Sequence, residues 1–291
     1  MQFKKLSLDD RAFYEKLKET APDITGWEYS FDVLWIWDVR ESVEVSVGDD
    51  HMYISAAGKG GRVFYPPLVK DPADTQKALE ELEAYAEEHN FPFKVFGVNK
   101  ALLPYIDAGR YKITSDRDDF DYIYSAESLK TLTGKKLHSK RNYITRFKSK
   151  YRYEFREYRD SDYAAAEALY DRWNVESEHE TLRMERSAII RALKYRKQLG
   201  LRIYVIISEG ERIAFSVNAL DMRKVVHTIF EKGDIRFEGV YQMINNLAAN
   251  ACFDGYETVN REEDMGIEGL RKAKLSYNPL YLYEKFVIEK P

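Results

Sequence analysis

A set of short alternating strands followed by strand–helix–strand occurs twice in this 291-residue chain, and that doubled order limits the possible folds more than any single motif. In the first half, SVEVSV (42–47) and HMYISAA (51–57) flank Gly48-Asp49-Asp50, the pattern of a hairpin. VFYPP (63–67) reads as a third strand ended by prolines. DPADTQKALEELEAYAEEHN (71–90) reads as a helix, with Asp74 as cap and Ala78, Leu82 and Tyr85 at helical spacing. FKVFGV (93–98), a short helix near 100–106 and DFDYIYS (119–125) continue the pattern.

The second half uses the same order. YEFREY (153–158) is a strand, 161–174 a helix capped by Ser161 or Asp162, and 185–200 a helix closed by Gly200. LRIYVIIS (201–208) and ERIAFSVNAL (211–220) form a hairpin extended by KVVHTIFEK (224–232). A helix from Val240 to Phe253, a strand YETVN (256–260) and a last strand LYLYEKFVI (280–288) complete it. Antiparallel strands that lead into strand–helix–strand give a mixed sheet with helices on its faces. The class is therefore α/β (α+β), with an N-terminal domain at 1–130, a basic linking helix at 131–152 and a C-terminal domain at 153–291. The length also suits two cores.

Composition excludes several function classes. A net charge of −4 provides no global attraction to nucleic acid or anionic lipid, so any such affinity must come from a local patch. Cys252 is the one cysteine; it rules out an intrachain disulfide and, after LAANA, reads as a buried apolar residue. No apolar run approaches the ~20 residues that span a bilayer, and the N-terminus lacks a signal core, so a cytoplasmic protein is expected. HETLR (179–183) fails the H-E-x-x-H spacing, and no metal site, P-loop or Ser-His-Asp order is found.

The local patch is LTGKKLHSKRNYITRFKSKYR (132–152), which holds eight Lys or Arg and no acid from Lys135 to Arg152. Leu137, Ile144, Phe147 and Tyr151 share one helical arc, with Lys140 at its middle. Either Lys140 snorkels beside a solvated basic face, or the helix presents cations to phosphate. On that second account Lys136, His138, Lys140 and Arg141 are donor- or phosphate-binding candidates.

Two further segments carry chemistry. GDIRFEGVYQMIN turns from a strand into a helix, where unpaired backbone N–H groups attract anions; Arg236, Gly239 and Tyr241 are its phosphate-binding candidates. NREEDMGIEGLRKAKLSYNP (260–279) packs Glu262, Glu263 and Asp264 ahead of a helix bearing Arg271 and Lys274. The carboxylates can grip an amino group or act as general base, and the cations can meet phosphate. Alternatively, the opposite charges form a structural lock, with Asp264 as an N-cap. His227 and Glu231 face one side of their strand by alternation, Glu231 at its C-terminal end. Tyr277 and Asn278 offer an acid or a hydrogen bond to a leaving group, although Asn-Pro is first a turn signal.

The loop RFEGVY partly resembles the phosphate loop of the GNAT acyltransferases, with Tyr241 in place of its last small residue. GKKLHSKRNYITRF, HTIFEKGDIRFEGVYQMIN and VNREEDMGIEGLRKAKLSYNP, in that order, resemble the lysylphosphatidylglycerol synthase C-terminal-domain family, over residues 130–290. The resemblance implies two tandem GNAT-like domains with mixed, mostly antiparallel sheets and flanking helices. It also implies aminoacyl transfer from aminoacyl-tRNA, or another activated acyl donor, to a hydroxyl or amine. The active cleft would lie in the second domain. Glu262, Glu263, Glu231, His227 and Tyr277 are then catalytic candidates, and Asn260, Arg261 and Asp264 substrate-binding ones. Aminoacyl-tRNA would be the co-substrate, and an anionic lipid headgroup, a small amine or a hydroxyl compound the acceptor. Two alternatives stay open: an acetyl-coenzyme A-dependent N-acyltransferase acting on a small amine, which Tyr241 disfavours, and a non-catalytic module binding anionic lipid or RNA.

Overall fold

In the computed structural model, residues 1–58, 61–174, 180–221 and 224–291 are described. His179, in the stretch that fails the zinc spacing, lies outside them. Contacts divide the chain into two units, Met1–Asp121 with Tyr283–Pro291, and Tyr122–Leu282.

In the first unit the strands run in the order Lys4–Lys5, Glu44–Val47, His51–Gly58, Gly61–Phe64, Lys94–Asn99, Lys285–Glu289 and Lys112–Thr114. Leu68–Val69 adds beside His51–Gly58. Gly61–Phe64 and Lys94–Asn99 form the parallel pair, and the other ladders are antiparallel. In the second unit the order is Tyr281–Tyr283, Asp121–Ser125, Thr258–Asn260, Val225–Gly233, Glu211–Leu220, Arg202–Ser208 and Glu154–Glu157. There the parallel pair is Val225–Gly233 with Thr258–Asn260. Both sheets thus share one plan, a tandem GNAT-like build.

Each sheet also takes one strand from the opposite half of the chain. The segment read as one last strand, 280–288, breaks at Glu284; Tyr281–Tyr283 joins the second sheet and Lys285–Glu289 pairs with Lys94–Asn99 in the first. The division therefore falls elsewhere than at 130 and 153: residues 283–291 belong with the first unit, and 122–152 with the second. Alternating polarity cannot reveal which sheet a strand joins, because the pattern is the same in either.

Local signals explain most element ends. The helix expected at 71–90 is Thr75–Glu88, preceded by a 3₁₀ turn, Pro72–Asp74. Asp71, not Asp74, caps that turn, accepting from the Ala73 N–H at 3.0 Å, because Pro72 has no N–H and fits the first position.

In the second unit the helix Val240–Cys252 packs on Arg202–Ser208, Glu211–Leu220 and Val225–Gly233. The basic helix His138–Lys150 lies against it, burying Ile144 and Phe147. Gly239 makes that approach possible. Its φ is +85°, and a Cβ there would sit 2.7 Å from the Tyr143 carbonyl oxygen. Gly239→Ala is expected to destabilise the second unit by about 2–3 kcal/mol, from backbone strain plus the clash, readable as a lower melting temperature.

Candidate active site

The two central parallel strands part company early. Register runs Val225↔Thr258, Val226↔Val259, His227↔Asn260 and stops, while Val225–Gly233 continues six residues further. A bulge at Ile229, opposite Val217/Asn218, bends the continuing strand. Open sheets place ligands beyond the carboxyl ends of such strands, and the side chains that meet there are polar and buried.

Glu231 projects from the continuing strand toward the helix Val240–Cys252. Its carboxylate accepts from Asn245 Nδ2 at 3.1 Å and from Arg261 Nη2 at 3.2 Å, so Arg261 bridges the parting strands. The Arg261 guanidinium lies 5.6 Å from the Tyr124 ring centroid and 5.0 Å from that of Tyr277. Arg261 Nη1 is buried with no carboxylate on it, and the Tyr277 hydroxyl faces the same guanidinium. Burial lifts the Tyr277 pKa well above the usual phenol value, against the pull of the Arg261 charge.

Lys140 enters this cluster from the basic helix. It is 7% exposed; its Nζ donates to Ser276 Oγ at 2.6 Å and sits 4.1 Å above the centre of the Tyr277 ring. No carboxylate pairs with it among the described residues. Burial, and after it the charge of Arg261, pull its ammonium down to about 8. Lys140 therefore does not snorkel to solvent from its apolar arc: its ammonium is held inside. The rest of the expected cationic group divides. Arg141 turns back to donate to the Leu132 and Gly134 carbonyls, Lys136 donates to Asn278 Oδ1 at 2.9 Å, and His138 is exposed beside Arg141 and Asn142.

The charges of 260–279 answer one another. Arg271 donates two hydrogen bonds to Asp264, at 2.8 and 2.9 Å, and Tyr122 adds one at 2.5 Å. Burial works against the charged form of Asp264, yet these donors hold its carboxyl well below the usual range. Asp264 also accepts from the Gly266 N–H at 3.0 Å, ahead of a helix, Glu268–Leu275, that begins two residues later than Gly266. Lys274 Nζ donates to the carbonyls of Arg261, Glu262 and Glu263 and lies over Tyr122. The turn so held includes Glu262 at φ +58°, its N–H donating to Asn260 Oδ1 at 2.6 Å. Arg271 and Lys274 therefore fix the backbone that presents Arg261.

Other expected residues stand apart. Lys232, adjacent to Glu231 in sequence, points to the opposite face and pairs with Glu185 at 2.8 Å; Glu262 contributes negative potential there. His227 and Asn260 are fully buried, paired across the parallel ladder. At the expected phosphate loop, Arg236 is exposed and engaged with Asp234 and Glu211, Glu238 pairs with Arg146 at 2.9 Å, and Gly239 abuts Tyr143. Tyr241 packs on the core of the second unit. Burial raises the Cys252 thiol to about 12, in keeping with an unreactive apolar role. Tyr124, Asn245 and Ser276 were not anticipated. Each lies on a face that pattern alone reads as core or surface, and only the register and helix packing bring them to Arg261.

Comparisons with known proteins bear on this arrangement. The family described as "Phosphatidylglycerol lysyltransferase, C-terminal" matches residues 23–289. A conserved protein of unknown function from Bacteroides thetaiotaomicron has a structure similar over 100% of both chains, with TM-score 0.92 and 31% identity. The structure of L-PGS from Bacillus licheniformis is similar over 99% of this chain and 93% of its own, with TM-score 0.70 and 12% identity. FemX is similar over 99% and 97%, with TM-score 0.61 and 10% identity. An uncharacterised protein of Mycoplasmoides gallisepticum is 24% identical over 172 residues, 58% of this chain; the chain spans about half, 56%, of that curated relative. No helix among the described residues is long and apolar enough to cross a membrane. The fold is thus shared with the L-PGS and FemX structures, and the chain belongs to the phosphatidylglycerol lysyltransferase C-terminal family.

Proposed function

We propose that the protein transfers an aminoacyl group from aminoacyl-tRNA to a hydroxyl or amine acceptor, at the carboxyl ends of the parting strands of the second unit. The observation that carries this reading is the convergence of the buried Lys140 and Tyr277 with the partly buried Arg261 and Glu231. An aminoacyl ester is already activated, so the protein must mainly align donor and acceptor, accept a proton and stabilise an oxyanion. Glu231 is the carboxylate of the cluster and takes the proton from the acceptor. Lys140 and Arg261 are preorganised donors for the developing oxyanion, and Tyr277, held protonated, can give its proton to the ribose oxygen as the acyl–oxygen bond breaks.

Exposed Lys148 and Lys150 lie on the basic helix, and exposed Lys135 and Arg152 just beyond its two ends; these cations suit a phosphate backbone. Lys140 and Arg141 are turned inward and add little to them.

The test is transfer of radiolabel from a pool of charged tRNAs to non-tRNA products in a desalted extract and its lipid fraction. Label moving out of tRNA with wild-type protein, and at least 100-fold more slowly with Glu231→Gln, is expected. No transfer from any charged tRNA would remove the reading.

A further inference from the structure

We infer that the Lys140–Arg261 pair is a binding site for a singly charged oxyanion, a carboxylate or a phosphodiester, carried by one substrate in its ground state. Only the description of that ligand as a substrate rests on the transferase reading; the site itself rests on charge and burial.

Lys140 and Arg261 bring two positive charges to the cluster and Glu231 brings one negative charge, which leaves a surplus of one. Buried ions persist when paired, because the desolvation of an unpaired charge is worth several kcal/mol. Arg261 spends Nη2 on Glu231, and its buried Nη1 has no charged partner, facing the neutral Tyr277 hydroxyl. Lys140 spends one donor on Ser276 and rests over the Tyr277 ring, which is electron-rich but carries no net charge. Two donors of one sign, each with hydrogen-bonding capacity left over, sit on the same aromatic side chain.

A transient oxyanion does not account for this surplus by itself, since the charge is in place before any reaction begins. A ligand's own oxyanion does, accepting from Arg261 Nη1 and from Lys140 together. A monoanion restores neutrality, whereas a dianion leaves Glu231 facing excess negative charge. The groups facing the pair are Glu231 from the strand, Asn245 from the helix, Tyr124 from its neighbouring strand, and Ser276 and Tyr277 from the C-terminal turn. None adds a second carboxylate.

Titration calorimetry of the intact protein with acetate, with diethyl phosphate and with inorganic sulfate tests the site, alongside Lys140→Met and, as a control at an exposed lysine, Lys272→Gln. Saturable binding of acetate or diethyl phosphate is expected, tighter than sulfate and weakened at least tenfold in Lys140→Met but not in Lys272→Gln. Acetate preference identifies a carboxylate substrate, and diethyl phosphate preference a phosphodiester. No saturable binding to the wild type, or equal binding by Lys140→Met, overturns the inference. Circular dichroism of the variant separates lost binding from lost fold. Anion binding without label transfer would leave this site standing and remove the transferase reading, and transfer without anion binding would do the reverse.

Discussion

Replacing Lys140 by methionine is expected to raise the melting temperature of the protein while abolishing transfer. The sign follows from proton linkage. Folding depresses the Lys140 pKa from 10.5 to about 8, so between those values the unfolded chain binds more protons and stability rises with pH. At pH 7 both states are protonated and the folded state carries the whole penalty, about 3 kcal/mol. Methionine keeps the apolar stem and length but gives up the Ser276 hydrogen bond and the contact with Tyr277, together about 1 kcal/mol. The net gain of about 2 kcal/mol corresponds to roughly 4–8 °C for a unit of this size. The gain should shrink as pH rises from 8 toward 10, because wild-type Lys140 then sheds its proton. Differential scanning calorimetry at pH 7 and pH 9.5, with transfer assays on the same samples, measures both halves. A methionine variant that is less stable and fully active would make Lys140 a structural residue.

The second large effect lies in the first unit. Lys285, 1% exposed at its side chain, donates to Glu28 Oε1 at 2.9 Å and lies 2.8 Å from Asp121 Oδ1, with both carboxylates fully buried. Trp27 and Phe96 flank the ammonium at 5.1 and 5.9 Å. Two acids share one cation, and Glu28 responds: burial first, opposed by Lys285 and aided by Asp121, pushes its carboxyl up to about 8. Lys285→Met leaves the buried Asp121 carboxylate without its cation and Glu28 without its donor, and is expected to destabilise the first unit by about 3–5 kcal/mol, lowering its melting transition by on the order of 10 °C. Because the folded Glu28 pKa is raised, its contribution is full below the ordinary carboxyl range and is lost as pH rises toward 8. Glu28→Gln should therefore flatten the stability of the first unit between pH 5 and 8. Calorimetry across that range checks both variants; a wild-type transition indifferent to pH would contradict the account.

Much of this architecture was legible in order and spacing. Hairpin signals at Gly48-Asp49-Asp50 and Glu209-Gly210, the capped helices and the basic arc around Lys140 all follow from local chemistry, and the doubled element order led to the tandem fold. The exchange of strands was not legible, since Asp121–Ser125 and Lys285–Glu289 have the same alternation whichever sheet receives them. For the site, sequence proximity misled in one respect. Arg271 and Lys274 share a helix face, but their partners are Asp264 and three backbone carbonyls in the same segment. Arg261, one residue past its strand, is instead carried to Glu231 by the parallel register, a link 30 residues apart. Pairing across a sheet is set by topology, which no local window contains.

The most direct test of the account is a crystal structure with a non-hydrolysable aminoacyl-adenosine amide. Density for the aminoacyl group at the end of Val225–Gly233, between Glu231, Arg261 and Lys140, is the predicted result. Ordered ligand in the first unit or against Arg236 and Gly239, with the Lys140–Arg261 cluster unchanged and unoccupied, would contradict it.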